Sequence, residues 1–394
     1  MPSIDQVIRL APRKEGDSIL WEALGEAGFA PLFKKMADTP QSPIYHSEGN
    51  VFIHTRLVLE ALVGLKEYYL LTEKEQNVVF LSALLHDIGK TICTILKDGE
   101  ITSPYHTVKG AILARDLLWR EFDLAGTKEK QALREAVSLL VKYHSFPTFA
   151  PLEKDATRKL LKIASAGELT ELFSLKLLYL LSKADVLGRK SVDGDDYLER
   201  VECFYMMAED LGCLEKPFAF SSPFSKRAYF RRQTDWPGDT LYPGTWGEVT
   251  MLCGLPGSGK DTFIKKYMPQ SQMVSLDGIR EELGIGPTEE QGQVIAAFQK
   301  VARGLLRSHQ PFVFNATNLS RDIRQKQIDL FEKYGAAVKI IYLETSFAEQ
   351  LQRNAGREAE VPLSAIEKMF SKLEMPEGWE AQAVTWEISE RDKK

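Results

Sequence analysis

No stretch of this 394-residue sequence approaches the ~18 consecutive apolar residues of a membrane-spanning helix, so no membrane association is expected. Cysteine is scarce. Cys93, Cys203, Cys213 and Cys253 include no C-x-x-C pair, which argues against a disulfide framework or a zinc finger. The first thirty residues carry Asp5, Glu15, Asp17 and Glu22 among the apolar ones, unlike a signal peptide. Together these absences lead to the expectation of a cytoplasmic protein. Low-complexity tracts are missing too, and so is an excess of positive charge, the formal net charge being -5. That excludes a surface coated in basic residues for bulk nucleic-acid binding. A few placed arginines holding one strand end remain compatible, because phosphate contacts are local.

Histidine is also rare, and its placement is informative. Five of six (His46, His54, His86, His106, His144) lie in the first 144 residues, with only His309 beyond. The same half shows helical apolar spacing in 55-TRLVLEALVGL-65, 77-NVVFLSALLHDIGK-90, 108-VKGAILARDLLWREF-122, 132-ALREAVSLLVKYH-144 and 170-TELFSLKLLYLLSKADVLG-188. Gly89, Pro147 and Gly188 read as stop signals. Residues 213–245 then break into Pro, Ser, Gly and aromatics. After them the short apolar runs 248-EVTMLCG-254, 272-QMVSL-276, 311-PFVFNA-316 and 338-VKIIYLE-344 alternate with helical segments, a pattern that predicts a mostly parallel sheet. The expected architecture has two domains: an all-α domain over 1–212, an aromatic and basic linker over 213–245, and an α/β domain over 246–394.

The α/β half opens on 254-GLPGSGKDTFI-264, where a strand should end and a helix begin. Gly254, Leu255, Pro256, Gly257, Ser258, Gly259, Lys260, Asp261 and Thr262 are the candidate nucleotide-binding residues. Backbone N–H groups close around phosphate oxygens there, and Lys260 reaches the β- and γ-phosphates. ATP or another nucleoside triphosphate with Mg²⁺ is the implied pair. The strict motif wants Ser or Thr after the lysine, but Asp261 stands there. Either Thr262 supplies the hydroxyl one residue later, or Asp261 touches the metal through water.

Further along, 274-VSLDGIREELG-284 places Asp277 at a strand-to-helix edge and Arg280 one turn on. Asp277 is suited to take a proton from an attacking hydroxyl, with Arg280 on an acceptor phosphate; the alternative is that Asp277 caps the helix. In 314-FNATNLSRDIRQ-325, Asn315 occupies the strand end where P-loop proteins often carry a metal-orienting Asp. Asn318, Arg321 and Arg324 are acceptor-side candidates, although helix arginines are commonly just exposed. Ser346 and Glu349 form an S-x-x-E capping box. Beyond it Arg353 and Arg357 suit a lid over a transferring phosphoryl group, or else a solvated helix end. Over residues 246–380 the ordered motifs G-x-x-G-x-G-K, S-L-D-G-I-R, A-T-N-L-S and R-N-x-x-R-x-x-x-V-P resemble the polynucleotide 5′-hydroxyl kinase family. That resemblance implies Asp277 as general base, Arg280 as acceptor-phosphate ligand, and Lys260, Arg353 and Arg357 as catalytic cations; Asp261 and Asn315 depart from its pattern.

In the helical half, 83-ALLHDIGK-90 sets His86 and Asp87 at the end of a very apolar helix, where ionisable groups are expensive unless paired or metal-bound. With His54 and Asp185, two histidines and two carboxylates can converge on one cation; His106 and His144 would complete a second metal site. The mixed set suits Mn²⁺, Co²⁺, Ni²⁺, Fe²⁺ or Zn²⁺. This ordered series resembles the HD phosphohydrolase superfamily. With 41-QSPIYHSEGNVFIHT-55, 104-PYHTVKG-110 and 185-DVLGR-189, residues 28–195 particularly resemble the HD domain of bacterial tRNA CCA-adding enzymes. The resemblance implies 2′,3′-cyclic phosphodiesterase and 2′-phosphatase activity on RNA ends. Lys90 and Arg189 are candidates for the substrate phosphate, or are plain surface charges.

Joined, the halves resemble bacterial HD-domain polynucleotide kinases, which heal RNA or DNA ends. No K-x-D-G nucleophile motif is present, so sealing would fall to a separate ligase. The alternative is a small-molecule P-loop kinase fused to an HD nucleotide phosphohydrolase. The segment 225-SKRAYFRRQTDW-236, with Lys226, Arg227, Arg231 and Arg232 among Tyr229, Phe230 and Trp236, suits single-strand binding or simple packing.

Overall fold

The computed structural model describes residues 3–190, 194–286, 289–356 and 360–389. The chain divides into two compact units: Met1–Leu124 with Glu129–Phe218, and Ala125–Lys128 with Ala219–Lys394.

In the first unit the apolar segments form the helices Val51–Gly64, Glu73–Leu85, His106–Asp116, Lys128–Tyr143 and Leu175–Gly188. Their starts have local causes. Asn50 and Ser174 accept backbone N–H groups at N3, and Thr72 with Glu75 makes a reciprocal capping box. Glu73–Leu85 is buried on nearly all sides, which makes it the central rod on which His86 and Asp87 are mounted. Leu175–Gly188 crosses Val51–Gly64 closely: a Cβ on Gly188 would lie 2.6 Å from the Val58 nitrogen.

The expected helical unit also carries one short hairpin. Strands β1 (Ile95–Lys97) and β2 (Glu100–Thr102) pair antiparallel. Asp98 and Gly99 between them both have positive φ, 52° and 83°, as a two-residue hairpin turn demands. Asp-Gly is a strong turn signal, but the three-residue flanks are too short to show alternation.

In the second unit all four expected strands appear: β3 (Gly247–Cys253), β4 (Gln272–Ser275), β5 (Phe312–Asn315) and β6 (Ala336–Glu344). A fifth, β7 (Ala383–Ile388), joins the edge. It escaped the sequence reading because it is mostly half-buried, with Glu387 interrupting the apolar run. The order is β4-β5-β3-β6-β7, every pair parallel. Leu252, Val313, Ile341 and Leu343 pack with Ile264 from the helix after β3. Burial on both faces explains why the central strands read as unbroken apolar runs.

The segment expected as a linker is built into this unit from Ala219 onward. Ser222 caps the helix Pro223–Phe230, whose Lys226, Arg227, Tyr229 and Phe230 are buried. Arg227 donates to both Glu332 carboxylate oxygens, at 2.7 and 3.1 Å, and to the Trp379 carbonyl at 3.0 Å. Packing therefore occupies most of the residues that suited a single-strand surface; Arg231, Arg232 and Trp236 stay exposed.

Arg324 corrects two expectations at once, being neither exposed nor acceptor-facing. It is fully buried, forks onto Glu380 at 2.7 and 2.8 Å, and donates to the carbonyls of Asn318, Leu319 and Glu374. Glu380→Ala would strand that charge, and urea unfolding is expected to show a loss of about 3–5 kcal/mol. An unchanged midpoint would refute this role.

Candidate functional site

The first unit gathers the six expected ligands into one cluster, with Asp87 among the four histidines. His54 Nε2 lies 3.7 Å and His86 Nε2 3.3 Å from Asp87 Oδ2; His106 Nε2 and His144 Nε2 lie 3.6 and 3.8 Å from Oδ1. Asp185 Oδ1 is 2.9 Å from His54 Nε2 and 4.0 Å from His86 Nε2. Three potential cation clusters result among the described residues, His46–Glu48–His54, His54–His86–Asp87 and Asp87–His106–His144, and the last two share Asp87.

Backbone carbonyls aim three of the rings. His86, His106 and His144 each donate from Nδ1 to the carbonyl three residues earlier, of Ala83, Ser103 and Val141, at 2.8, 2.9 and 2.8 Å. That fixes the tautomer and turns each Nε2 lone pair inward. Burial holds His144 down to about 3 and also lowers His106, keeping both rings neutral. Burial would lower His86 as well, but Asp87 and Asp185 reverse it and raise that ring. Burial pushes both carboxylates up. Lys90 and His86 outweigh it at Asp87, and Arg189 and His54 at Asp185, so both are held well below the usual range.

His86 Nε2 and Asp87 Oδ1 are buried without a hydrogen-bond partner among the described residues. Unpartnered atoms aimed at a common centre, with His106 and His144 neutral and both carboxylates ionised, fit a divalent cation.

Lys90 and Arg189 are not plain surface charges. Lys90 is buried and sits 2.7 Å from Asp87 Oδ2, while Arg189 Nη2 sits 3.0 Å from Asp185 Oδ2. Sequence reasoning missed Glu48. Its Oε1 lies 2.8 Å from His46 Nδ1 and 2.9 Å from His54 Nδ1, supporting His54 from behind. Burial brings His46 down to about 4, so its Nε2 accepts from Lys90 at 3.3 Å. The H-x-E spacing in 46-HSE-48 was the available signal; only the tertiary contact with His54 gives it meaning.

In the second unit the phosphate loop leaves β3 at the carboxyl edge of the sheet, where the strand order reverses and doubly wound folds bind ligands. The helix Lys260–Tyr267 begins directly after it. Gly259, at φ 89°, is the tightest point: a Cβ there would meet Ser389 Oγ at 2.2 Å and Arg353 Nη1 at 2.9 Å. Arg353 thus lies against the loop; it donates to Ser389 Oγ at 2.7 Å and pairs with Glu349 at 3.0 Å. Lys260 Nζ donates to the Gly254 and Leu255 carbonyls at 2.9 and 3.0 Å. Arg357 lies outside the described residues.

Asp277 does not cap its helix. Ser275 does, accepting from the Gly278 N–H. Asp277 is exposed, and its Oδ1 is 2.5 Å from Arg280 Nη1, while Arg280 Nε donates to Gln291 Oε1 at 2.7 Å. Arg321 is exposed at the start of its helix. Asn318 is 3% exposed and donates from Nδ2 to the Leu252 carbonyl at 2.7 Å, which gives it a structural task under the loop. Asn315 Nδ2 donates to Asp261 Oδ1 at 2.6 Å. Ser346 caps its helix as expected, accepting from the Glu349 N–H, and the Glu349 carboxylate pairs with Arg353.

The parallel sheet with a glycine loop at its switch point can cradle a nucleotide triphosphate, so the loop residues fit ATP with its cation. Among the described residues no helix is long and apolar enough to cross a membrane.

The Multifunctional CCA protein of Pasteurella multocida (strain Pm70) is 30% identical over 189 residues, 46% of this chain and 41% of that protein. The chain thus spans about two fifths of the curated relative it matches. Among solved structures, a gluconokinase from Sinorhizobium meliloti 1021 is 20% identical, with a TM-score of 0.27 over 37% of this chain and 83% of its own. A protein from Chloroflexus aurantiacus j-10-fl, provisionally assigned as a kinase, is 15% identical, with a TM-score of 0.32 over 37% and 86%. A family model described as an HD domain matches residues 51–187, and one described as an AAA domain matches residues 249–376. The chain therefore carries an HD domain followed by a P-loop kinase-like domain on a five-stranded parallel sheet.

Proposed function

We propose that this protein heals broken nucleic-acid ends with two activities on one chain. The kinase-like unit phosphorylates 5′-hydroxyl ends, and the HD unit opens 2′,3′-cyclic phosphates and removes 2′-phosphates at RNA 3′ ends. The observation that carries the reading is the Asp277–Arg280 pair, a base candidate and a phosphate-binding cation held 2.5 Å apart at the carboxyl edge of the sheet. A small alcohol offers no phosphate for Arg280, whereas a polynucleotide 5′ end does. The partial similarity to a CCA protein supports an RNA-end substrate for the other unit.

In the kinase unit, Lys260 and the loop N–H groups hold the donor phosphates, Arg280 holds the acceptor phosphate, and Asp277 takes the proton of the 5′-hydroxyl. The hydroxyl oxygen forms a bond to the γ-phosphorus as the bridging P–O bond breaks, leaving ADP. Arg353 neutralises charge on the transferred group. Arg357 is assigned the same task on sequence grounds. Arg321 remains an acceptor-side candidate; Asn318, buried under the loop, is assigned there less readily.

In the HD unit, His54, His86, Asp87, His106, His144 and Asp185 would hold one or two of Mn²⁺, Co²⁺, Ni²⁺, Fe²⁺ or Zn²⁺. A cation bound there supplies Lewis acidity toward water and a phosphoryl oxygen. Lys90 and Arg189, already paired with the two carboxylates, flank the substrate phosphate. Sealing would be left to a separate ligase.

The test offers γ-labelled ATP and Mg²⁺ with a 5′-hydroxyl oligonucleotide and, separately, an RNA ending in a 2′,3′-cyclic phosphate with each divalent metal. Label is expected on the 5′ end, and Lys260→Ala should lower transfer about 10²–10³-fold while sparing the 3′-end reaction. Transfer to small alcohols or sugars, and to no oligonucleotide, would replace the polynucleotide acceptor with a small molecule.

A further inference from the structure

The kinase-like unit departs from the usual phosphate-loop pattern at two positions far apart in sequence, Asp261 and Asn315. The fold brings them into contact. Parallel pairing sets Asn315 beside Leu252, at the end of the strand that feeds the loop. Its Nδ2 donates to Asp261 Oδ1 at 2.6 Å. The amide orientation is dictated by that partner, since the opposite one would press two oxygens together at this distance. Asn315 Oδ1 takes no part in that contact. This oxygen is buried, on a residue only 6% exposed, and has no hydrogen-bond partner among the described residues.

A buried carbonyl oxygen left over beside a carboxylate, at the mouth of a phosphate loop, is a hard-cation donor set. The usual loop puts a neutral hydroxyl after the lysine and a carboxylate on the neighbouring strand end. Here the two roles are exchanged: the carboxylate stands on the loop and the neutral oxygen on the strand. The local charge is one negative unit in either arrangement.

We propose that Asp261 and Asn315 act as one transposed pair that holds the Mg²⁺ of the bound nucleotide, with Asn315 orienting the Asp261 carboxylate. The proposal rests on the reading of this unit as a nucleotide-binding kinase domain, and it is independent of which acceptor the kinase uses.

The charge of Asp261 gives the test a sign change. Without a divalent cation, a carboxylate beside the triphosphate repels it; with Mg²⁺ it attracts the complex. Binding of a fluorescent ATP analogue to the full chain is measured with Mg²⁺ and with EDTA. Wild type should bind more tightly with Mg²⁺. Asp261→Ala should bind about tenfold more weakly with Mg²⁺, yet at least as tightly as wild type in EDTA. Asn315→Ala should lose part of the Mg²⁺ effect. The exchange variant Asp261→Ser with Asn315→Asp should restore it, which a merely structural role for either residue would not predict. Equal Mg²⁺ enhancement in wild type and Asp261→Ala would overturn the proposal. So would failure of the exchange variant to regain any enhancement while its metal-free binding and melting temperature match wild type. Nucleotide binding with this metal response but no transfer to any oligonucleotide would sink the polynucleotide acceptor alone.

Discussion

Asp87→Ala is expected to abolish 3′-end processing, lowering it by about three orders of magnitude, or about 4 kcal/mol of transition-state stabilisation. The reason is its shared position. Asp87 belongs to two of the potential cation clusters, with Oδ2 toward His54 and His86 and Oδ1 toward His106 and His144. Elemental analysis of purified protein should find Asp87→Ala stripped of metal, whereas His144→Ala should keep what the His54–His86–Asp87 cluster holds. Asp87 also pairs with buried Lys90 at 2.7 Å, so truncation can loosen the fold. The isosteric Asp87→Asn, checked by melting temperature, separates the two effects. Label transfer from ATP should continue in both variants, because the phosphate loop lies in the other unit. Full metal content in Asp87→Asn would refute its place at the centre.

Asp277→Asn should lower 5′ phosphorylation about 10²–10⁴-fold with ATP binding unchanged, the signature of a lost general base. Structure sharpens this expectation, because a capping aspartate would give a different result. Ser275 makes the cap, and Asp277 stands exposed against Arg280. The helix should therefore keep its start in the variant, and the melting temperature should not move. Arg280→Gln should act mainly on the KM of an oligonucleotide acceptor carrying a phosphate next to its end. Lost nucleotide binding in Asp277→Asn would assign the residue to the scaffold.

Local patterns carried most of the architecture. Five helices of the first unit and four of five strands of the second were readable because apolar spacing and caps are properties of neighbouring residues, whereas the helices Ala30–Ala37, Ala156–Ala164 and Gly194–Asp210 were not read. The β1–β2 hairpin and β7 escaped, being too short or too exposed to leave a clear period. The histidine series was readable in order because metal ligation dictates its side chains, and the glycine loop because backbone N–H groups must close on phosphate.

Partnership was not readable. Sequence alone left Arg324 as a candidate at the acceptor side, and folding buries it against Glu380. It left Glu48 unnoticed, and folding sets it behind His54. By itself the sequence determined that a phosphate loop and an ordered metal-type series share this chain, and that Asp261 and Asn315 break the loop's pattern. Only the tertiary structure decided that the two departures answer each other across 2.6 Å. The physical reason is that a hydrogen bond between residues 54 positions apart depends on which strands lie side by side, and strand order is fixed by packing of the whole unit.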